Sequence, residues 1–126
     1  MSKVAKFSVV HAKDNPFQKK GLRDYFEYRD LGIREATGGR FHAHAARAVR
    51  PCNEKTGRHV HNLEMQFIYI TKGWLRAEYE GIGEVEFVAG SCLHNPPGNP
   101  HEVTGFSDDL EFIELTAPAD YDTVEV

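Results

Sequence analysis

Short runs in which apolar and polar residues alternate dominate the chain from about residue 25 to residue 115. The clearest run is Gln66-Phe67-Ile68-Tyr69-Ile70-Thr71, which is rich in β-branched and aromatic residues. Runs from Trp74 to Glu80 and from Glu84 to Ala89 follow it, separated by glycines. This composition and spacing predict strands, and Lys72-Gly73 predicts a hairpin between the first two.

Further strands are predicted on both sides of this region, near Tyr25 to Asp30, Arg40 to Arg50, Ser91 to Asn95, His101 to Thr104 and Leu110 to Leu115. The alanines within 40 to 50 also permit a helix, but glycines before that run and a proline after it favour a strand. Many short strands without a convincing amphipathic helix indicate an all-β sandwich or barrel. Residues 1 to 24 are polar and contain turn signals, so we expect an N-terminal arm followed by one domain over residues 25 to 126.

Composition narrows the class of protein. The 126 residues fit one domain, and the net charge of −4, with neither sign gathered into a block, disfavours nucleic-acid binding. We expect a cytoplasmic protein that does not enter membranes, because no apolar leader and no stretch long enough to span a membrane is seen. Cys52 and Cys92 are expected to be reduced, with Cys92 a small buried apolar residue in its strand.

Two histidines on one predicted strand carry the first sign of chemistry. Side chains alternate across a strand, so His59 and His61 point to the same face. A third histidine, His101, returns on a later strand. Two imidazoles on one strand and a third on another are the layout of a metal site inside a small β-barrel.

The spacing of these histidines resembles the two sequence motifs of the cupin superfamily. The first motif is matched by His59, His61, Gln66 and Gly73, and the second by Gly90, Pro96, Gly98 and His101. The first lies at about residues 57–73 and the second at about 90–105. Three positions depart from the pattern: Asn53 replaces a leading glycine, Gly105 replaces a closing asparagine, and Gln66 replaces an acidic metal ligand.

The resemblance implies a single cupin-type jelly-roll β-barrel of the small, single-domain RmlC-like kind. It further implies a homodimer, since jelly-roll cupins often pair. It also implies that His59, His61, Gln66 and His101 bind one divalent transition metal, which could be iron, zinc, manganese or nickel. An amide in place of a carboxylate removes one negative charge beside the ion and favours an anionic, chelating substrate. Glu64 is the rival for the missing carboxylate and ranks below Gln66, because it lies early enough to be in the turn after His61.

Three other histidines have weaker cases. His42 and His44 share one face of a predicted strand, and we interpret them as a surface or dimer-facing pair, with cavity lining as the alternative. His94 precedes Pro96 and could project into the barrel beside the metal as an extra ligand or as an acid and base, although a packed, hydrogen-bonded histidine is the favoured interpretation.

These features together indicate a mononuclear metalloenzyme that acts on a small oxygenated organic molecule. Iron would give dioxygenase-like chemistry, whereas zinc, nickel or manganese would give isomerase-like or cyclase-like chemistry. The alternative is a non-catalytic cupin that binds a small ligand, with a structural metal or none.

Overall fold

A computed structural model describes residues 5–19, 24–52 and 56–126. The strands are β1 Phe26–Asp30, β2 His42–Ala48, β3 His59–Asn62, β4 Met65–Lys72, β5 Trp74–Tyr79, β6 Gly83–Val88, β7 Cys92–Asn95, β8 His101–Phe106, β9 Glu111–Ala117 and β10 Asp122–Glu125. A short helix, α1 Ile33–Ala36, joins β1 to β2, and a 3-10 turn spans Ala12–Asp14.

The strands form two five-stranded antiparallel sheets, ordered β1-β2-β9-β4-β7 and β10-β3-β8-β5-β6. Successive strands from β4 to β9 mostly alternate between the sheets, which is the connectivity of a jelly roll. The prediction of an all-β jelly-roll fold is confirmed.

The predicted hairpin at Lys72-Gly73 is wrong. Strand β4 pairs with β7 and β9, whereas β5 belongs to the other sheet and pairs with β6 and β8. The turn therefore carries the chain from one sheet to the other. Gly73 makes this crossing with a φ of +76°, and a Cβ there would collide with Ser107 Oγ and lie 3.0 Å from Leu110 Cα.

The apolar core lies between the two sheets. Its buried members are Phe26, Ala46, Ile70, Leu75, Phe87, Phe106, Leu110 and Phe112. Alternation along each strand sets which residues reach this interior. On β7 the inward side chains are Leu93 and Asn95, so Cys92 is exposed, and the expectation that it is buried is wrong.

The described part of the arm, residues 5–19, contacts the first sheet at its edge strand β1. Gln18 forms an isolated bridge with Tyr28, and the Phe17 ring lies between the guanidinium groups of Arg29 and Arg47, 4.3 and 4.2 Å from its centroid. The division into residues 1–24 and 25–126 stays a prediction, and residues 1–4 and 20–23 of the arm lie outside the described part. Within the described ranges, no helix has the length and apolar character needed to span a membrane.

Candidate metal centre and cavity

Three histidines from two neighbouring strands meet in the interior. His59 and His61 lie on β3, and His101 on β8 is the direct cross-strand partner of His59. All three are buried, and their rings have centroids 4.4 to 5.0 Å apart. One ring nitrogen from each lies within 4.8 Å of the other two, so this group could hold a metal ion.

Hydrogen bonds at Nδ1 orient these rings. His59 Nδ1 lies 2.9 Å from the carbonyl oxygen of Gly57, and His101 Nδ1 lies 2.9 Å from that of Asn99. A carbonyl only accepts, so both rings carry their proton on Nδ1 and a lone pair on Nε2. An orienting bond of this kind is usual for histidines that bind a metal.

His61 is oriented by a residue that the sequence analysis did not single out. Its Nδ1 lies 2.9 Å from the hydroxyl of Thr123, which is its cross-strand partner on β10. Strand β10 was not predicted, because Asp122-Thr123-Val124-Glu125 is short and mostly polar. Its position beside β3 makes it part of the candidate metal centre.

Gln66 lies beside the histidines, with both ends of its amide hydrogen-bonded. Its Oε1 accepts from Asn95 Nδ2 at 3.2 Å, and its Nε2 donates to Glu114 Oε2 at 2.6 Å. The carboxylate fixes which end of the amide is nitrogen, because it can only accept. Gln66 therefore connects an acidic residue on β9 to Asn95, whose Nδ2 lies 3.2 Å from His101 Nδ1.

That acidic residue, Glu114, was missed in the sequence. It is largely buried and also accepts a hydrogen bond from His44 Nε2 at 2.9 Å. Burial alone would raise the pKa of Glu114, but the hydrogen bond and charge of His44, with the hydrogen bond from Gln66, hold that pKa below its usual range. A negative charge therefore lies next to Gln66 on the neighbouring strand β9.

His42 and His44 line the same cavity, so their interpretation as a surface or dimer-facing pair is wrong. His42, His44 and Ala46 are spaced two residues apart on β2, so their side chains lie on the same face. Ala46 is completely buried in the core, so this face points inward. His44 lies opposite Glu114 on β9, and its Nδ1 is 3.1 Å from His42 Nε2. The Tyr28 ring packs on His44 with centroids 4.8 Å apart.

Two sequence candidates lie away from the site. His94 is exposed, because it alternates with the inward residues of β7, so it is neither a packed histidine nor a cavity acid or base. Glu64 is exposed in the bend between β3 and β4, which leaves Gln66 as the cavity-facing candidate of the two.

The histidines open onto a cavity of about 650 Å³ between the sheets. Its apolar wall includes Phe26, Leu75 and Phe112. Tyr79 also lines it and stacks on His101 with centroids 5.6 Å apart. Burial, followed by the negative charge of Glu114, raises the pKa of Tyr79 to about 12, so its hydroxyl stays protonated at neutral pH.

No protein-family model matches the chain, and no curated protein sequence matches it. Solved structures do match. The polyketide cyclase RemF from Streptomyces resistomycificus has a TM-score of 0.76 at 21% identity, over 96% of this chain and 86% of that one.

Two further structures agree over most of both chains. A sugar phosphate isomerase of the cupin superfamily from Silicibacter pomeroyi has a TM-score of 0.73 at 20% identity, covering 94% of this chain and 82% of that one. KdgF from Halomonas sp. has a TM-score of 0.70 at 18% identity, covering 88% and 94%. The chain has the cupin fold. At these identities the likeness shows the fold alone.

Proposed function

We propose that this cupin is a mononuclear metalloenzyme in which His59, His61 and His101 hold one divalent transition metal. The observation that carries the proposal is the buried group of three imidazoles. In His59 and His101 the Nδ1 atom donates a hydrogen bond to a backbone carbonyl, which leaves Nε2 available to a metal. Nitrogen donors of this kind suit zinc, iron, nickel and manganese, so the donor set fits a metal without selecting one.

Gln66 is the candidate fourth ligand through Oε1. A carbonyl oxygen has two lone pairs, and the bond from Asn95 uses only one of them. The hydrogen bond from Gln66 to Glu114 keeps the oxygen, rather than the nitrogen, on the side away from the carboxylate. Glu114 would then offset part of the charge of a bound ion through this amide.

We infer that the reaction is a proton transfer of the isomerase or cyclase type on a small oxygenated organic molecule. A divalent ion at this site would act as a Lewis acid on a substrate carbonyl or hydroxyl group. The same cavity also holds an acid and a base group, namely the imidazole of His42 and the protonated phenol of Tyr79. The polyketide cyclase and the sugar phosphate isomerase that share the fold are enzymes of these reaction types, which supports the choice.

Metal analysis of the purified protein, followed by oxygen-uptake measurements with iron restored, tests this function. One equivalent of zinc, nickel or manganese without oxygen uptake supports the proposal. Iron with substrate-dependent oxygen uptake would replace it with the dioxygenase reading. A protein that holds no metal after incubation with each of these ions would instead be a small-ligand binder.

We infer in addition that the chain works as a cytoplasmic homodimer. Strands β1, β7, β10 and β6 end the two sheets, and an unpaired sheet edge favours association with a second chain. Light scattering coupled to size-exclusion chromatography tests this directly, and a mass of one chain would contradict it.

A further inference from the structure

A row of three side chains on the cavity wall, Glu114, His44 and His42, ends at a buried ring nitrogen. His44 lies between the other two, with Nε2 2.9 Å from Glu114 Oε1 and Nδ1 3.1 Å from His42 Nε2. The remaining nitrogen of the row, His42 Nδ1, is buried and has no hydrogen-bond partner among the residues that the structure describes.

The carboxylate fixes the proton positions along this row. Glu114 can only accept, so His44 carries its proton on Nε2 and holds a lone pair on Nδ1. That lone pair accepts the Nε2 proton of His42. Since a neutral imidazole has a single N–H group, His42 Nδ1 is left with a lone pair and acts as an acceptor.

The surroundings keep His42 neutral. Burial lowers the pKa of His42, and electrostatic interactions with His44 and Arg34 lower it further, against smaller opposing effects of Asp30 and Glu114. A neutral imidazole at physiological pH is the form that accepts a proton.

An acceptor that is buried without a partner costs free energy that a hydrogen-bond donor on a bound molecule would recover. The side chain lines the cavity, and the χ2 torsion of histidine is broad, so a small ring rotation is available to meet such a donor. The aromatic rings of Tyr25, Phe26 and Phe112 on the cavity wall suit a flat, conjugated molecule.

We propose that His42 Nδ1 is the proton acceptor for a substrate that carries a phenolic or enolic hydroxyl group, with His44 and Glu114 as positioning residues. The proposal rests on the proposed function in taking this cavity as the substrate site. In the step, the substrate O–H bond breaks, its electron pair stays on the substrate oxygen, and an N–H bond forms at Nδ1. The positive charge gained by His42 is stabilised through His44 by the Glu114 carboxylate.

Binding of two matched probes to the purified protein tests the acceptor. 2-Naphthol offers a phenolic hydroxyl, and 2-methoxynaphthalene has the same ring system without the donor. The natural chain should bind 2-naphthol about fivefold more tightly, the effect of one neutral hydrogen bond. The His42→Phe variant should bind both probes equally, while the exposed control His94→Phe keeps the natural ratio.

Each outcome decides the proposal. A ratio below twofold in the natural chain, including binding of neither probe, overturns it, as does a ratio that survives in a folded His42→Phe variant. Metal content measured on the same samples separates the two proposals. If His42→Phe keeps its metal but the ratio persists, only this inference fails, whereas absence of metal from the natural chain counts against the metalloenzyme alone.

The positioning roles have a spectroscopic test. Long-range ¹H–¹⁵N spectra of the natural chain at pH 7.5 should show His42 protonated on Nε2 and not on Nδ1. Glu114 accepts hydrogen bonds from His44 and Gln66, and the Glu114→Gln variant has only one side-chain oxygen to accept them. The proton of His44 is then no longer fixed on Nε2, so its partner His42 should populate both tautomers. An unchanged His42 spectrum in that variant would contradict the assignment.

Discussion

The amide nitrogen of Gln66 donates a hydrogen bond to Oε2 of Glu114 across 2.6 Å, and this pair explains why an amide stands where the cupin motif has an acid. A carboxylate at both positions would place two negative charges in contact within a buried region. Like charges at that separation cannot both ionise without a large free-energy cost. The carboxylate therefore lies on β9, at Glu114, rather than on β4, at position 66.

Gln66→Glu should therefore destabilise the fold most at alkaline pH. At pH 8 ionisation of the second carboxylate costs free energy, and we expect a loss of about 1–3 kcal/mol in the free energy of unfolding, comparable to the cost of an unsatisfied buried group. At pH 5 one of the two gains a proton and restores a donor, so the loss shrinks. Urea unfolding at both pH values measures it, with Thr71→Glu, exposed on the same strand, as control. Equal losses in the two variants at both pH values would refute the explanation.

His42 provides a pH dependence with a defined sign. Burial, then electrostatic interactions with His44 and Arg34, lower its pKa below the ordinary histidine value of 6.5 in the folded chain. The unfolded chain therefore binds the proton first as the pH falls, and it alone is stabilised by that proton. The His42 contribution to the free energy of unfolding is absent well above pH 6.5 and becomes increasingly unfavourable below it.

Two measurements check this sign. An NMR titration should place the midpoint of His42 below pH 6.5. The melting temperature of the natural chain should also fall more steeply between pH 6.5 and pH 5 than that of His42→Phe. A midpoint at or above 6.5 would show that Asp30 and Glu114 outweigh burial at this position.

Gly73 is the best test of the crossing between sheets. An alanine there needs a positive φ and also overlaps Ser107 and Leu110, so Gly73→Ala should lower the free energy of unfolding by more than about 1–3 kcal/mol, the cost of the backbone conformation alone. Gly90→Ala is the matched control, since its φ is +93° but a Cβ there meets nothing within 4 Å. Denaturant unfolding of both variants measures the difference. Equal losses would mean that the close approach at Gly73 does not matter.

Thr123 should tune the affinity for metal without holding the ion. Thr123→Val removes the hydroxyl that orients His61 Nδ1. We expect a loss of about 10- to 100-fold in metal affinity, typical for partners that orient metal-binding histidines. Competition with a chromogenic chelator measures this, and Thr104→Val, on the outer side of β8, serves as control. An unchanged affinity would show that β3 alone sets the His61 ring.

Features that depend on local periodicity were predictable from the sequence. The strands near residues 25–30, 66–71 and 84–89 were predicted close to their observed bounds, because apolar alternation and glycine turns are local signals. The convergence of His59 and His61 follows from the same alternation. The cupin motif spacing then indicated His101, although it lies on another strand.

Features that depend on distant pairing were not predictable. Gln66 and Glu114 are 48 residues apart, and nothing local in the run from Glu111 to Ala117 marks one glutamate as inward-facing. The interpretation of His42 and His44 as a surface or dimer-facing pair was wrong for the same reason. A strand pattern shows that two side chains share a face, but the partner strands decide whether that face is the cavity or the solvent.

Metal stoichiometry in two histidine variants tests the central claim most directly. His101→Ala and His94→Ala change the same residue type seven positions apart, one buried in the histidine group and the other exposed. After incubation with zinc and removal of unbound ion, elemental analysis should find one ion per chain in the natural protein and in His94→Ala, and almost none in His101→Ala. An equal metal content in a folded His101→Ala variant would contradict the three-histidine centre.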